Sequence, residues 1–346
     1  MLLKSREKDA AENTNPAGTQ RMSLSTFIMR YNAIIILIIL CIVASCLSPL
    51  FLSKTNIFTL LRQQVPYLII AMGVLIVIIT AGIDLSVSSV TAVSSIVVAY
   101  SMLKWGLADG GLDTWGAVAL GVCTGALFGA VNGFLVAKLR MPAFIVTLAM
   151  MYAGLGIAYI ITKGNTLMLE AKSGGYADLV GFATGTTRLL GIPYSVLFAF
   201  AIVIIFYFLM KYTTYGRMIY AIGSNESAVQ LAGINSKKYL FFTYLLCGTL
   251  CGIAGVIVTS RSGNASALTA SVDYNMSTIA GVVIGGASLM GGEGTVVMTV
   301  IGVFIIAVIG NIMNLVNLAS YPQMVVKACV IILAVLLKSL SSKKRG

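Results

Sequence analysis

Ten apolar stretches constrain this chain more than any other feature, near residues 32–48, 65–81, 85–104, 114–137, 142–162, 192–211, 239–260, 276–290, 295–316 and 322–338. An α-helix needs about 20 residues to cross a hydrocarbon core, and several of these runs fall short of that, so some are expected to be broken or re-entrant. Hydrophobic residues make up 58% of the 346 and charged residues 10%, which is more apolar surface than a soluble core can bury. The predicted class is an all-α integral membrane protein of about ten transmembrane helices.

Charge orients it. Ten spans with both termini in the cytoplasm bring most of the 23 Lys and Arg to one side. That side receives the N-terminal tail 1–30 with Lys4, Arg6, Lys8, Arg21 and Arg30, then Lys138 and Arg140, then Lys211 to Lys238, and the basic tail 339–346. This is the positive-inside pattern, and an odd number of spans would break it at one end. The net charge of +12 therefore needs no nucleic-acid partner, since an anionic inner leaflet suits it. The N-terminal tail reads as a tail followed by a retained helix, not as a cleaved signal. Between the tails, 31–338 is expected to form one membrane domain, with its longest external loop at about 163–191.

The chain has no histidine, the commonest general base, proton relay and metal ligand. Its six cysteines all lie in apolar runs, and Cys247 and Cys251 stack one helical turn apart as small buried side chains. No metal site, disulfide framework or catalytic residue is expected. The glycine-rich run Gly281–Gly294 (GVVIGGASLMGGEG) is not a nucleotide loop, because no Lys-Ser/Thr follows it.

One polar segment interrupts the apolar pattern, from Tyr215 to Ile234. Its middle reads as a short cytoplasmic helix. Ser224 or Asn225 caps the start, Glu226 lies in the first turn where the helix dipole favours an anion, and Gly233 ends it. A membrane protein that builds such a helix offers it to a soluble partner.

Within the spans, Gly121, Gly125, Gly129 and Gly133 fall every fourth residue, a face for close helix packing or for a dimer seam. Asp84 either caps the helix that begins near Ser86 or serves as a pathway carboxylate. Lys327 is expected to snorkel to the outer interface. Asn132, Asn311 and Asn314 suit a path for hydroxyl-rich solutes, and equally suit interhelical hydrogen bonds. A weak internal repeat relates Gly73–Ser95 to Gly281–Gly302, each an apolar run, a short polar break and a further helix.

Four segments carry a family resemblance. They are AGIDLSVSS (81–89), GRMIYAIGSNESAVQLAGI (216–234), GGASLMGGEGT (285–295) and YPQMVVK (321–327). In sequence and order they are similar to the signature segments of the ribose-type monosaccharide ABC importer permeases, over roughly residues 30–340. Ser88 and Ser224 stand where that family usually has glycine.

The resemblance implies the importer permease fold, with 215–234 as the coupling segment that docks on an ATPase, in the bacterial cytoplasmic (inner) membrane. Its coupling residues would be Gly216, Arg217, Gly223, Asn225, Glu226, Ala228 and Gly233. It implies cytoplasmic ATP-binding subunits that hold ATP and Mg, with no cofactor on this chain. It also implies an extracytoplasmic sugar-binding protein and a second permease copy, a homodimer in preference to a heterodimer. The residues leave two rivals. An ion-coupled secondary transporter would need deep coupling carboxylates, for which the chain offers Asp84 and Glu293. An importer of nucleosides, branched-chain amino acids or a signalling furanose would share the motifs.

Overall fold

The computed structural model describes residues 24–104, 112–169, 174–184, 188–189, 191–271 and 274–343. Lys4, Arg6, Lys8 and Arg21 of the N-terminal tail, and Lys344 and Arg345 of the C-terminal tail, lie outside the described residues.

Twelve α-helices make up the described structure. The central one is α2 (Lys54–Ile79), after α1 (Leu24–Leu47). The Ser53 hydroxyl caps α2 by accepting the Asn56 N–H at 3.2 Å. From Leu68 to Ile79 every residue of α2 is buried, so it is apolar on all sides and serves as the post around which the others pack. The expected span 65–81 is corrected here: the helix begins eleven residues earlier and runs about 39 Å.

The chain then leaves helical geometry over 80–86 and resumes as α3 (Val87–Lys104). Ala81 takes a left-handed φ of 60° in this break. Irregular backbone at membrane depth is tolerated where protein buries it, and Thr80, Asp84, Leu85 and Ser86 are all buried.

Helix α4 (Leu112–Gly133) continues as a π-helical turn over Phe134–Lys138 and is followed by α5 (Ala143–Thr162). The stretch expected as the longest external loop, 163–191, contains α6 (Gly174–Thr184). A two-residue strand, β1 (Leu167–Met168), pairs with β4 (Asn264–Ala265), while β2 (Arg188–Leu189) pairs with β3 (Ile192–Pro193). Next come α7 (Tyr194–Tyr212), α8 (Thr214–Leu231), α9 (Ser236–Ser262), α10 (Tyr274–Ile284), α11 (Val296–Leu315) and α12 (Ser320–Lys343).

Among the described residues, seven helices are long and apolar enough to cross a membrane, and Asn32–Leu47 is a shorter apolar helix. The expected span 276–290 is corrected to an eleven-residue helix, α10, that stops at Ile284. Its continuation is a loop because Gly286, Gly291, Gly292 and Gly294 all hold positive φ, which helix excludes. Thr295 then caps α11, its hydroxyl accepting the Met298 N–H at 3.3 Å.

The glycine face of α4 packs within the chain, against α9. A Cβ on Gly125 would stand 2.6 Å from the Gly252 Cα, and one on Gly129 3.0 Å from the Gly248 Cα. A Cβ on Gly133 would stand 2.8 Å from the Phe241 carbonyl oxygen. Gly121 sits against α3, where a Cβ would stand 3.3 Å from the Ser94 carbonyl oxygen. The glycines of α4 let neighbouring backbones approach this closely, and at Gly125 and Gly129 α9 answers with Gly252 and Gly248.

Candidate functional site

Two places in the fold gather the polar residues, one at each end. At the first, α8 lies across the end of the bundle. Thr213 caps it, accepting the Gly216 N–H at 3.2 Å. The helix breaks at Asn225, whose extended backbone (φ −161°, ψ 95°) lets its side chain restart the helix by accepting the Ala228 N–H at 2.9 Å. Of the two candidate caps, Asn225 is therefore the one used. Gly233, with φ 77°, turns the chain out of the last turn.

Glu226 stands at the centre of a polar knot. Its carboxylate pairs with Arg140, accepts the Ser236 hydroxyl at 2.7 Å and accepts the Gln230 amide at 3.0 Å. Burial alone would push this carboxyl up, but those hydrogen bonds and the Arg140 charge hold it below the usual carboxylate range. Arg140 reaches it from the turn after the π-helical end of α4, in a left-handed conformation of φ 59°. In the sequence Arg140 is one of a pair of cations expected at the cytoplasmic side, Lys138 and Arg140, and a basic residue just before a proline is too common to mark it as the partner of Glu226.

Two further signature segments meet under α8, itself part of a third: a Cβ on Gly291 would stand 3.0 Å from the Ala81 nitrogen and 2.6 Å from the Gly223 carbonyl oxygen. The Gly292 N–H donates to the Ile79 carbonyl at 2.9 Å, joining the break after α2 to the loop after α10. Gly223 of α8 presses on both, leaving no room for a Cβ between the Ile79 carbonyl and the Gly292 nitrogen. The Tyr220 hydroxyl adds a bond to the Gly294 carbonyl at 2.6 Å. Around this junction Gly216 is buried, whereas Arg217, Ala228 and Gly233 are exposed. Leu231, 89% exposed, and Met290, 86% exposed, leave apolar side chains standing out at the same end.

Deeper in, Asp84 accepts both the Ser86 N–H (2.8 Å) and its hydroxyl (2.6 Å), and Asn132 donates to that hydroxyl at 3.0 Å. Asp84 thus fixes the turn that precedes α3, and it joins Asn132 through one serine.

At the far end a cavity of about 670 Å³ opens between α2, α9, α10, α11 and α12. Asn311 and Asn314 line it, while Asp84 and Asn132 do not, so the four polar candidates separate into two groups. Asn311 exchanges two amide hydrogen bonds with Asn56, each 2.9 Å, and the Asn314 amide oxygen accepts from Gln323 at 2.9 Å. Lys327 also lines this cavity. Arg62, Arg261, Tyr67 and Tyr274 join it and escaped the sequence reading. The two arginines at the ends of apolar helices were its available signal.

The family described as "Branched-chain amino acid transport system / permease component" matches residues 56–335. The chain belongs to this permease family. It is 39% identical over 323 residues to the ribose import permease protein RbsC of Escherichia coli (strain K12), covering 93% of this chain and 98% of that one. It is 40% identical over 302 residues to the protein of the same name from Bacillus subtilis (strain 168), covering 87% and 90%. The D-allose transport system permease protein AlsC of Escherichia coli (strain K12) is 34% identical over 345 residues, covering 99% and 100%. No solved structure matches. This permease is a multi-pass protein of the bacterial inner membrane.

Proposed function

We propose that this permease is the membrane-spanning subunit of an ATP-driven importer that takes a monosaccharide from an extracytoplasmic binding protein into the cytoplasm. The observation that carries the reading is its near-full-length likeness to proteins named ribose import permeases. The geometry of α8 supports the coupling part. Its capped second half stands at the end of the bundle, with Leu231 and Met290 offering apolar anchors beside it for a partner groove.

In this reading α8 is cytoplasmic, both termini are cytoplasmic and about ten segments cross the membrane. A second copy of this chain completes the pathway, and ATP and Mg are held by the ATPase subunits. ATP binding closes the ATPase pair. Movement of α8 then passes through the Gly223 junction into α2 and α11, both of which reach the cavity at the far end.

Gentle extraction of the tagged chain from native membrane, followed by mass spectrometry, tests this. An ATPase subunit at stoichiometric level, with uptake that stops on ATP depletion, is the expected result. Recovery without an ATPase after crosslinking, or uptake that survives ATP depletion and collapses with an ion gradient, would overturn it.

A further inference from the structure

The knot at Glu226 joins three parts of the chain. Arg140 brings in the turn between α4 and α5, Glu226 and Gln230 bring in the second half of α8, and Ser236 is the first residue of α9. Arg140 bonds Glu226 through one guanidinium nitrogen and reaches the Ser236 hydroxyl at 3.4 Å through another. Ser236 is 1% exposed, so the knot closes over a buried hydroxyl. An apolar contact accompanies it. Ala137, Ile222, Val229 and Leu240 form one buried cluster, with Ile222 and Val229 on opposite sides of the α8 break at Asn225.

The turn that Arg140 occupies departs from ordinary helix geometry twice. Phe134–Lys138 is π-helical, the Leu139 N–H donating to the Phe134 carbonyl at 3.3 Å, and Arg140 itself has φ 59°. A long side chain opposes the left-handed region, which glycine or asparagine would accept. Stability is a weak reason to hold it there, since the paired side chains are 38% and 33% exposed and such pairs contribute little. A π turn differs from an α turn by one residue per hydrogen-bonded ring, so a neighbouring α arrangement is open to it, and such turns recur at functional sites.

Beyond the turn, α5 starts at Ala143, and its Thr147 hydroxyl donates to the Ile83 carbonyl at 3.0 Å. Ile83 lies in the break between α2 and α3. Movement at Arg140 therefore has a bonded path to that break, while Gly223 presses on Ile79 at its start.

From this we infer that Arg140 is a positioning residue for coupling. Through Glu226 it ties the second half of α8 to the π turn of α4 and to α5, a second route into the membrane domain beside the Gly223 junction. This rests on the importer reading and adds to it the element that receives the movement.

The test uses the full chain in nanodiscs with its copurifying ATPase, and reads backbone hydrogen exchange with and without ATP and vanadate. In the parent, exchange is expected to change in α8 (223–234) and also across the π turn and the start of α5 (134–150). Glycine holds a left-handed backbone without strain, so R140G removes the side chain and leaves the turn possible. In R140G α8 is expected to respond as before, while the response over 134–150 falls about five-fold or more. R140E is expected to lose that response likewise. R140E/E226R is expected to regain it, since the Ser236 hydroxyl and the Gln230 amide can each donate or accept. Should R140G fail to assemble, R140Q takes its place with the same expectation. A response over 134–150 that stays at the parental size without Arg140, a parent that responds in α8 alone, or a double variant no better than R140E would each overturn the inference and leave the importer reading standing. A complex without an ATPase, or one in which ATP and vanadate change exchange nowhere, strikes the importer reading and the inference with it.

Discussion

The Gly292 N–H and the Ile79 carbonyl are bonded at 2.9 Å, and this one contact ties together the two breaks in the helical pattern. Gly223 of α8 lies against both partners, where an added Cβ would stand 2.7 Å from the Gly292 nitrogen and 2.8 Å from the Ile79 carbonyl carbon. Neither neighbour is a flexible side chain that can move aside. Gly223→Ala is therefore expected to destabilise the fold by about 1–3 kcal/mol and to depress ATP-driven uptake. Gly310→Ala, where nothing lies within 4 Å, is the control. Equal thermal midpoints for the two variants would refute the junction.

The α4–α9 contact makes a similar comparison possible on a single helix. Gly125→Ala drives a methyl into the Gly252 backbone, 2.6 Å from its Cα and its nitrogen. Gly116→Ala on the same helix meets nothing within 4 Å. The first is expected to cost about 1–3 kcal/mol, and the second to gain up to about 1 kcal/mol from alanine's better helix propensity. Thermal unfolding in detergent reads the difference, and a stable Gly125→Ala would mean that the helices do not pack this way.

Glu226 predicts a pH dependence with a definite sign. Its carboxyl is held below the usual range in the folded state, so its contribution is present above the unfolded value of about 4.3 and is lost as pH falls through the folded one. Both partners of the Arg140 pair are about a third exposed, with side-chain accessibilities of 38% and 33%, so the contribution is at most about 1 kcal/mol. At pH 7 Glu226→Gln is expected to unfold slightly before the parent, and the gap should close as pH falls below the usual carboxylate range and through the lowered folded-state value. A gap that widens with acid would reverse the argument. Glu226→Arg is expected to fold yet lose ATP-driven uptake, and normal uptake by it would remove Glu226 from coupling.

Much of this architecture was legible in residues. The apolar runs located the helices, and Asn225, Glu226 and Gly233 marked the short helix because capping chemistry is local. The unread part was tertiary. Span 276–290 is the shortest of the ten, but where it breaks was not legible because hydropathy counts glycine as neutral; four positive-φ glycines follow the helix end at Ile284. Asn311 and Asp84 looked alike as polar groups in apolar surroundings, and only their neighbours separate a cavity wall from a buried turn. Arg62 and Arg261 are about 200 positions apart in the chain, and no local pattern joins them.

Tyr244 shows how a buried polar atom can be read against its neighbours. The residue is 1% exposed, and its hydroxyl has no hydrogen-bond partner although it points at the backbone of Gly82. Asn132 carries a second unpartnered atom, its amide oxygen, on the neighbouring helix α4. An unpaired buried hydroxyl costs about 1–3 kcal/mol of desolvation, so removing it while keeping the ring should cost nothing. Tyr244→Phe is expected to be neutral or stabilising, whereas Tyr244→Ala, which empties the ring's place in the core, should lose about 3–5 kcal/mol. The opposite result, a Tyr244→Phe variant destabilised by more than about 1 kcal/mol, would show that the hydroxyl is bonded in the membrane.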